Sequence, residues 1–158
     1  MGIHQLVSNL INRIKGIPKW LPVLFAVVAF IGFLDASYLT IQHYKGIPPP
    51  CSLVEGCEKV TTSEYSTVIG MPVALPGAIY YLVILILTVL YLDSKNKKHM
   101  VLAAMLTPLG LIASLWFLFL QFFVINAICL YCLASAATST TLFVLGTIVL
   151  RRTKPIIS

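Results

Sequence analysis

Four long apolar runs constrain this chain before anything else does. They cover about residues 20–44, 72–92, 101–125 and 127–150, and each holds at least 20 residues. About 20 helical residues cross a hydrocarbon core of roughly 30 Å. In lipid every backbone N–H and C=O must be paired within the chain, which leaves helices or closed barrels. No period-two alternation competes with the runs. The expected fold is therefore an all-α membrane protein, a bundle of four transmembrane helices forming one domain over residues 1–158. Pro76, Gly77, Pro108 and Gly110 fall inside runs, where membrane helices tolerate them and bend. The charge content agrees. Only 10% of residues are charged, against about 25% in soluble domains.

Ahead of the first run, IHQLVSNLINRI places Ile3, Leu6, Val7, Leu10, Ile11 and Ile14 at helical spacing. Gln5, Ser8, Asn9 and Arg13 occupy the other face. This predicts an amphipathic surface helix over about 3–16. No cleavable leader is read here, because the first run is too long for one and lacks a clear cleavage site.

The net charge is +6, and its distribution carries the information. Nine of the eleven Lys and Arg residues fall on one side if the four runs span: Arg13, Lys15, Lys19, Lys95, Lys97, Lys98, Arg151, Arg152 and Lys154. Lys45 and Lys59 fall on the other. The positive-inside rule then places both termini in the cytoplasm and the 45–71 loop outside, in a multi-pass cell-membrane protein. The basic charge is thus accounted for by the membrane, and no nucleic-acid partner is expected.

That orientation brings all four cysteines to the outer side. Cys51 and Cys57 lie in the loop. Cys129 and Cys132 form a C-x-x-C where the last run begins. Cysteines used only as small core residues would scatter over depth, so their segregation to the oxidising face points to disulfide chemistry. On a helix, i and i+3 place two thiols on one face. Asn126 is expected to cap that helix, with Cys129 in its first turn, where partial positive charge favours a thiolate. Cys132 would lie one turn deeper.

The outer loop reads KGIPPPCSLVEGCEKVTTSEYSTVIGMP. Pro48, Pro49 and Pro50 extend the approach to Cys51, and Gly56 allows a turn before Cys57. Residues 58–66 suit a short helix starting just after Cys57. The spacing of Cys51 and Cys57 lets them close a disulfide, although four cysteines admit three pairings overall. The small residues Ala134 to Ser139 of the last run read as close helix packing. Asp35 lies deep in the first run, where a charge is costly, which marks it as a candidate proton relay.

Two dithiols on one face imply a thiol–disulfide relay. The loop pair can meet a protein thiol in water. The pair at the helix entrance can meet a quinone dissolved in lipid. Other readings weigh less. A four-Cys zinc site does not match the C-x5-C spacing. Haem attachment would need His where Leu133 stands. His4, His43 and His99 are too far apart in sequence to share a metal, so none is expected. The alternative from another class is a non-enzymatic four-helix scaffold or small transporter with structural disulfides.

The motifs Cys51, Gly56-Cys57, Val60, Ser63, Tyr65-Ser66, Gly70-Met71-Pro72, Gly77, Tyr81 and Cys129-Leu-Tyr-Cys132, taken together, resemble the vitamin K epoxide reductase family in its stand-alone prokaryotic form. The resemblance covers about residues 20–150. It implies a four-helix bundle around a quinone (ubiquinone, menaquinone or vitamin K type), capped by the outer loop. By that resemblance, Cys51 exchanges with a partner protein. Cys57 attacks the inner pair at Cys129, and Cys132 faces the quinone. Ser63 supports the site by a hydrogen bond, and Val73, Gly77 and Tyr81 line the quinone pocket. The animal enzymes carry Asn and Tyr where this chain has Val73 and Ala136, which favours quinone reduction over epoxide reduction. Many bacterial relatives carry a fused thioredoxin-like domain. With the chain ending at Ser158, the expected partner is a separate thioredoxin-fold (DsbA-like) dithiol protein on the outer side.

Overall fold

A computed structural model describes residues 2–6, 17–51 and 56–153. Residues 3–6 are helical. The remainder of the expected surface helix lies outside the described residues.

Among the described residues, four helices are long and apolar enough to span a membrane. α1 is Trp20–Lys45, and a short α2, Cys57–Thr61, follows in the loop after it. α3 is Ala74–Ser94 and α4 is Lys97–Phe119, which continues as a π turn, Leu120–Ile125. α5 is Leu130–Thr153. α1 packs on α3 and α5, and α4 packs on the same two helices, closing a ring of four.

Each helix turns a stripe of buried residues inward, many of them small. On α1 the stripe is Leu21, Phe25, Ala29, Gly32, Ala36 and Thr40. On α3 it is Ala78, Tyr81, Ile84, Thr88 and Tyr91. Small residues let helix backbones approach, which matters in lipid because burying apolar surface gives no advantage there. The buried threonine hydroxyls satisfy themselves on their own helix. Thr40 donates to the Ala36 carbonyl at 2.8 Å, and Thr88 to that of Ile84 at 2.7 Å. Val27, Ile31 and Leu34 on α1 and Leu109, Ile112 and Trp116 on α4 remain exposed. In a membrane those faces meet acyl chains.

Two boundaries differ from the sequence reading for local reasons. α4 starts at Lys97, ahead of the apolar run at 101, because the Asn96 side chain accepts the Lys98 N–H at 3.1 Å and caps the helix. The loop helix starts at Cys57 and stops at Thr61, so the helix expected over 58–66 is shorter. Thr61, Thr62 and Ser63 turn their hydroxyls back onto the carbonyls of Cys57, Glu58 and Val60, offering the backbone an alternative to helix. A 3-10 turn, Glu64–Ser66, follows. A two-stranded hairpin then leads into α3: β1, Thr67–Val68, pairs antiparallel with β2, Met71–Pro72. No strand was expected there. The hairpin is too short for alternation to show, and it is closed by Ile69 and Gly70, both at positive φ.

Candidate functional site

The sequence holds its two cysteine pairs far apart, and the fold packs them together. Cys57 and Cys129 are buried with Val60 in one cluster, against which Cys51, Cys132, Ile125, Ala127 and Tyr131 pack. Cys51 and Cys57 form a disulfide with their Cα atoms 6.1 Å apart. Cys129 and Cys132 are free thiols.

Two features bring the loop onto the C-x-x-C. The first is Gly56. A Cβ at Gly56 would lie 2.5 Å from the Ile128 carbonyl oxygen and 2.8 Å from the Ile128 nitrogen. Only glycine permits backbone to meet backbone at that distance. The turn expected from sequence forms at Gly56; its φ of −160° is open to any residue, so the need for glycine itself lies in the close approach. The second feature is α2 itself, which turns Cys57 and Val60 inward.

Asn126 is not the cap of the last helix. It lies in the left-handed region at φ 51° and closes the π turn. α5 begins at Leu130, and the Cys129 carbonyl accepts the Leu133 N–H at 3.0 Å, so Cys129 itself occupies the cap position. The π turn supplies the residue that sequence reading missed. Gln121, 2% exposed, accepts the Cys129 N–H on its side-chain oxygen at 2.9 Å. The signal was available, since Gln121 is the only amide side chain in the 101–125 run.

A hydrogen bond from the Cys132 thiol pulls the Cys129 thiol down most, aided by the backbone N–H groups of Cys132 and Tyr131. Burial and the negative charge of Asp35 oppose it, and the result is a thiol lowered to about 7. Cys129 is therefore the side of the pair that ionises near neutral pH.

A cavity of about 410 Å³ adjoins the cluster. Leu39, Gln42 and His43 of α1, Pro48 and Pro49, residues 60–67, Pro72 to Ala74, Phe117, Leu120, Gln121, Ile125 and Cys132 line it. Small-molecule sites run from about 300 to 1,000 Å³ and are mostly apolar with a few placed polar groups. This lining has that character.

The structure sorts the expected pocket residues into two groups. Cys132, Val73 and Ser63 line the cavity. The Ser63 hydroxyl is engaged on the Val60 carbonyl at 2.8 Å, so it supports the loop rather than reaching a thiol. Gly77 and Tyr81 are not among the lining residues. Gly77 faces Ala36, with room for a Cβ 3.8 Å from that side chain. Tyr81 is 1% exposed and lies over Gly32, where any side chain would meet its ring. Its hydroxyl donates to the Ser135 carbonyl at 2.9 Å and pairs with the Thr138 and Ser139 hydroxyls, each at 2.8 Å. Both residues join helices.

Asp35 lies near the inner pair, as its influence on Cys129 shows. Its Oδ2 is buried without a hydrogen-bond partner among the described residues. One turn further along α1, the Tyr38 hydroxyl accepts from Gln42 Nε2 at 3.0 Å, and the Tyr38 ring packs on Tyr131 with centroids 5.3 Å apart.

Membrane-length helices that carry one disulfide and one neighbouring dithiol at a common end define a class: membrane proteins of disulfide redox chemistry. More narrowly, the chain belongs to the vitamin K epoxide reductase family, whose model matches residues 23–147. That family is one of oxidoreductases. Among curated proteins, none matches the chain.

Proposed function

We propose that this protein reduces a quinone while generating disulfides in a separate thioredoxin-fold partner on the outer side of the membrane. The observation that carries the reading is the convergence of Cys51, Cys57, Cys129 and Cys132 in one cluster beside the cavity. Structural disulfides alone would not require a reduced second pair packed against the first.

The relay balances as follows. A partner thiolate attacks Cys51, breaks the Cys51–Cys57 bond and releases the Cys57 thiolate; the partner's second thiolate then attacks its own first sulfur, breaks the mixed disulfide and frees the Cys51 thiolate, and the partner leaves as a disulfide. Cys57 attacks Cys129 of an oxidised inner pair, the Cys129–Cys132 bond breaks, and Cys132 leaves as a thiolate. Cys51 then attacks Cys57 and frees Cys129. The outer pair ends oxidised and the inner pair holds two electrons, the arrangement described above. A bound quinone supplies the sink for two electrons and two protons. Leu39, Val73 and Phe117 would hold its apolar body, and Gln42, His43 and Gln121 offer polar groups at the same wall. Asp35 would take a proton from the inner pair and pass it on toward the quinone, which its unpartnered oxygen suits.

The topology follows the charge pattern. Lys45 and Lys59 share the end of the bundle that bears the cysteines, while Lys95, Lys97, Lys98, Arg151 and Arg152 lie at the other. That basic end is assigned to the cytoplasm.

The test is quinone reduction by purified protein with a reduced thioredoxin-fold substrate, for the wild type and four single Cys→Ala variants. Cys129→Ala and Cys132→Ala should abolish turnover even when a small dithiol is the reductant. Cys51→Ala and Cys57→Ala should lose turnover with the protein substrate and keep part of it with the small dithiol. Inactivity of all five folded proteins would return the chain to the scaffold or transporter class.

A further inference from the structure

Gln121 makes more of the connection between α4 and α5 than any other residue. Its backbone carbonyl accepts the Asn126 N–H and, at 3.1 Å, the Ala127 N–H. Its side-chain oxygen accepts the Cys129 N–H at 2.9 Å. One buried residue thus takes three of the four N–H groups between positions 126 and 129. The Cys129 N–H has no acceptor within α5, because Cys129 precedes the first turn.

The π turn makes this reach available. In a continuous α-helix, each residue is rotated about 100° from the last. The turn Leu120–Ile125 takes an i to i+5 bond in place of i to i+4, which changes the angle at which the chain leaves α4 over the Gln121 side chain. Such turns recur at functional sites in helices. Here the turn sits directly beneath the reactive pair.

We propose that Gln121 is the positioning residue of the inner cysteine pair, its amide oxygen holding the Cys129 backbone so that the thiol faces Cys57 and the first turn of α5. An amide suits the task better than a carboxylate. It accepts the N–H without placing a negative charge beside a thiolate. The purpose of the device rests on the relay proposed above, but its geometry does not, and neither readout below needs quinone or partner.

The test uses the full chain in nanodiscs with ¹⁵N-labelled cysteine, which gives four amide signals. In the wild type the Cys129 amide should exchange slowly with deuterated water. Gln121→Met keeps the volume and loses the acceptor. It should speed that exchange at least tenfold, and it should move the pH midpoint of Cys129 alkylation upward by about one unit as the thiol loses its alignment on the helix N–H groups. Gln121→Glu should restore amide protection yet keep the raised midpoint, because the added charge opposes the thiolate. A role in packing alone would not produce that split. Free exchange of the Cys129 amide in the wild type overturns the proposal, and that measurement stands even if neither variant folds. An unchanged alkylation curve in a folded Gln121→Met protein also overturns it. An inactive wild type with both readouts as expected would count against the relay and leave the positioning role intact.

Discussion

Gly56→Ala tests the contact on which communication between the two cysteine pairs depends. The new Cβ would lie 2.5 Å from the Ile128 carbonyl oxygen, where ordinary contact begins at 3.4 Å. The loop and the 126–129 stretch must therefore separate by about 0.9 Å along that line, the difference between those two distances. Neither side can yield by a rotamer change, since the obstructing atoms are backbone. Cys57 is the next residue and Cys129 follows Ile128, so the added gap falls between the two residues whose sulfurs meet in the proposed relay. A misplacement near 1 Å costs on the order of 100-fold where reacting atoms need near-attack geometry. Transfer from Cys57 to Cys129 should fall by roughly 10- to 100-fold. The assay is stopped-flow oxidation of a thioredoxin-fold dithiol, with acid-quenched trapping of the Cys57–Cys129 species in a Cys51→Ala background, where Cys51 cannot resolve it. Turnover with a small dithiol that reaches the inner pair directly should be kept, which separates misplacement from unfolding. Wild-type transfer rates in Gly56→Ala would refute the argument that this backbone contact sets the approach of the pairs.

Four further outcomes are expected. Cys129 is lowered to about 7, so alkylation of the reduced protein at Cys129 should rise through pH 7 rather than near 9. The same depression makes the thiolate a stabilising group at high pH, and that contribution should fade as pH falls through about 7, seen as a lower Tm of the reduced protein with no matching change in Cys129→Ala. Tyr81→Phe removes the hydroxyl that joins Ser135, Thr138 and Ser139; it should cost about 1–2 kcal/mol in unfolding titrations while leaving KM for quinone unchanged, and a raised KM would return Tyr81 to the pocket. Asp35→Asn should leave Cys57–Cys129 transfer intact and slow quinone reduction, with a solvent isotope effect altered from that of the wild type; equal rates and isotope effects would remove the proton role.

Sequence alone determined the solvent this chain is built for. Runs of at least 20 apolar residues leave the backbone no partner but itself, so the four helices are a consequence of local composition. The common end of the cysteines followed from the same counting, because four crossings alternate direction. Distance and direction did not follow. Gln121 read as one polar residue in an apolar run, and its hold on Cys129 depends on a π turn that no periodicity announces. Gly56 read as a turn, yet its use is the closeness of Ile128, which is remote in the chain. Tyr81 matched a family pattern at the pocket, but its orientation is set by the space left at Gly32 and by hydroxyls offered from α5. Tertiary structure decided these because each is a contact between segments whose meeting depends on the packing of all four helices, and a side chain's identity does not specify what it will face.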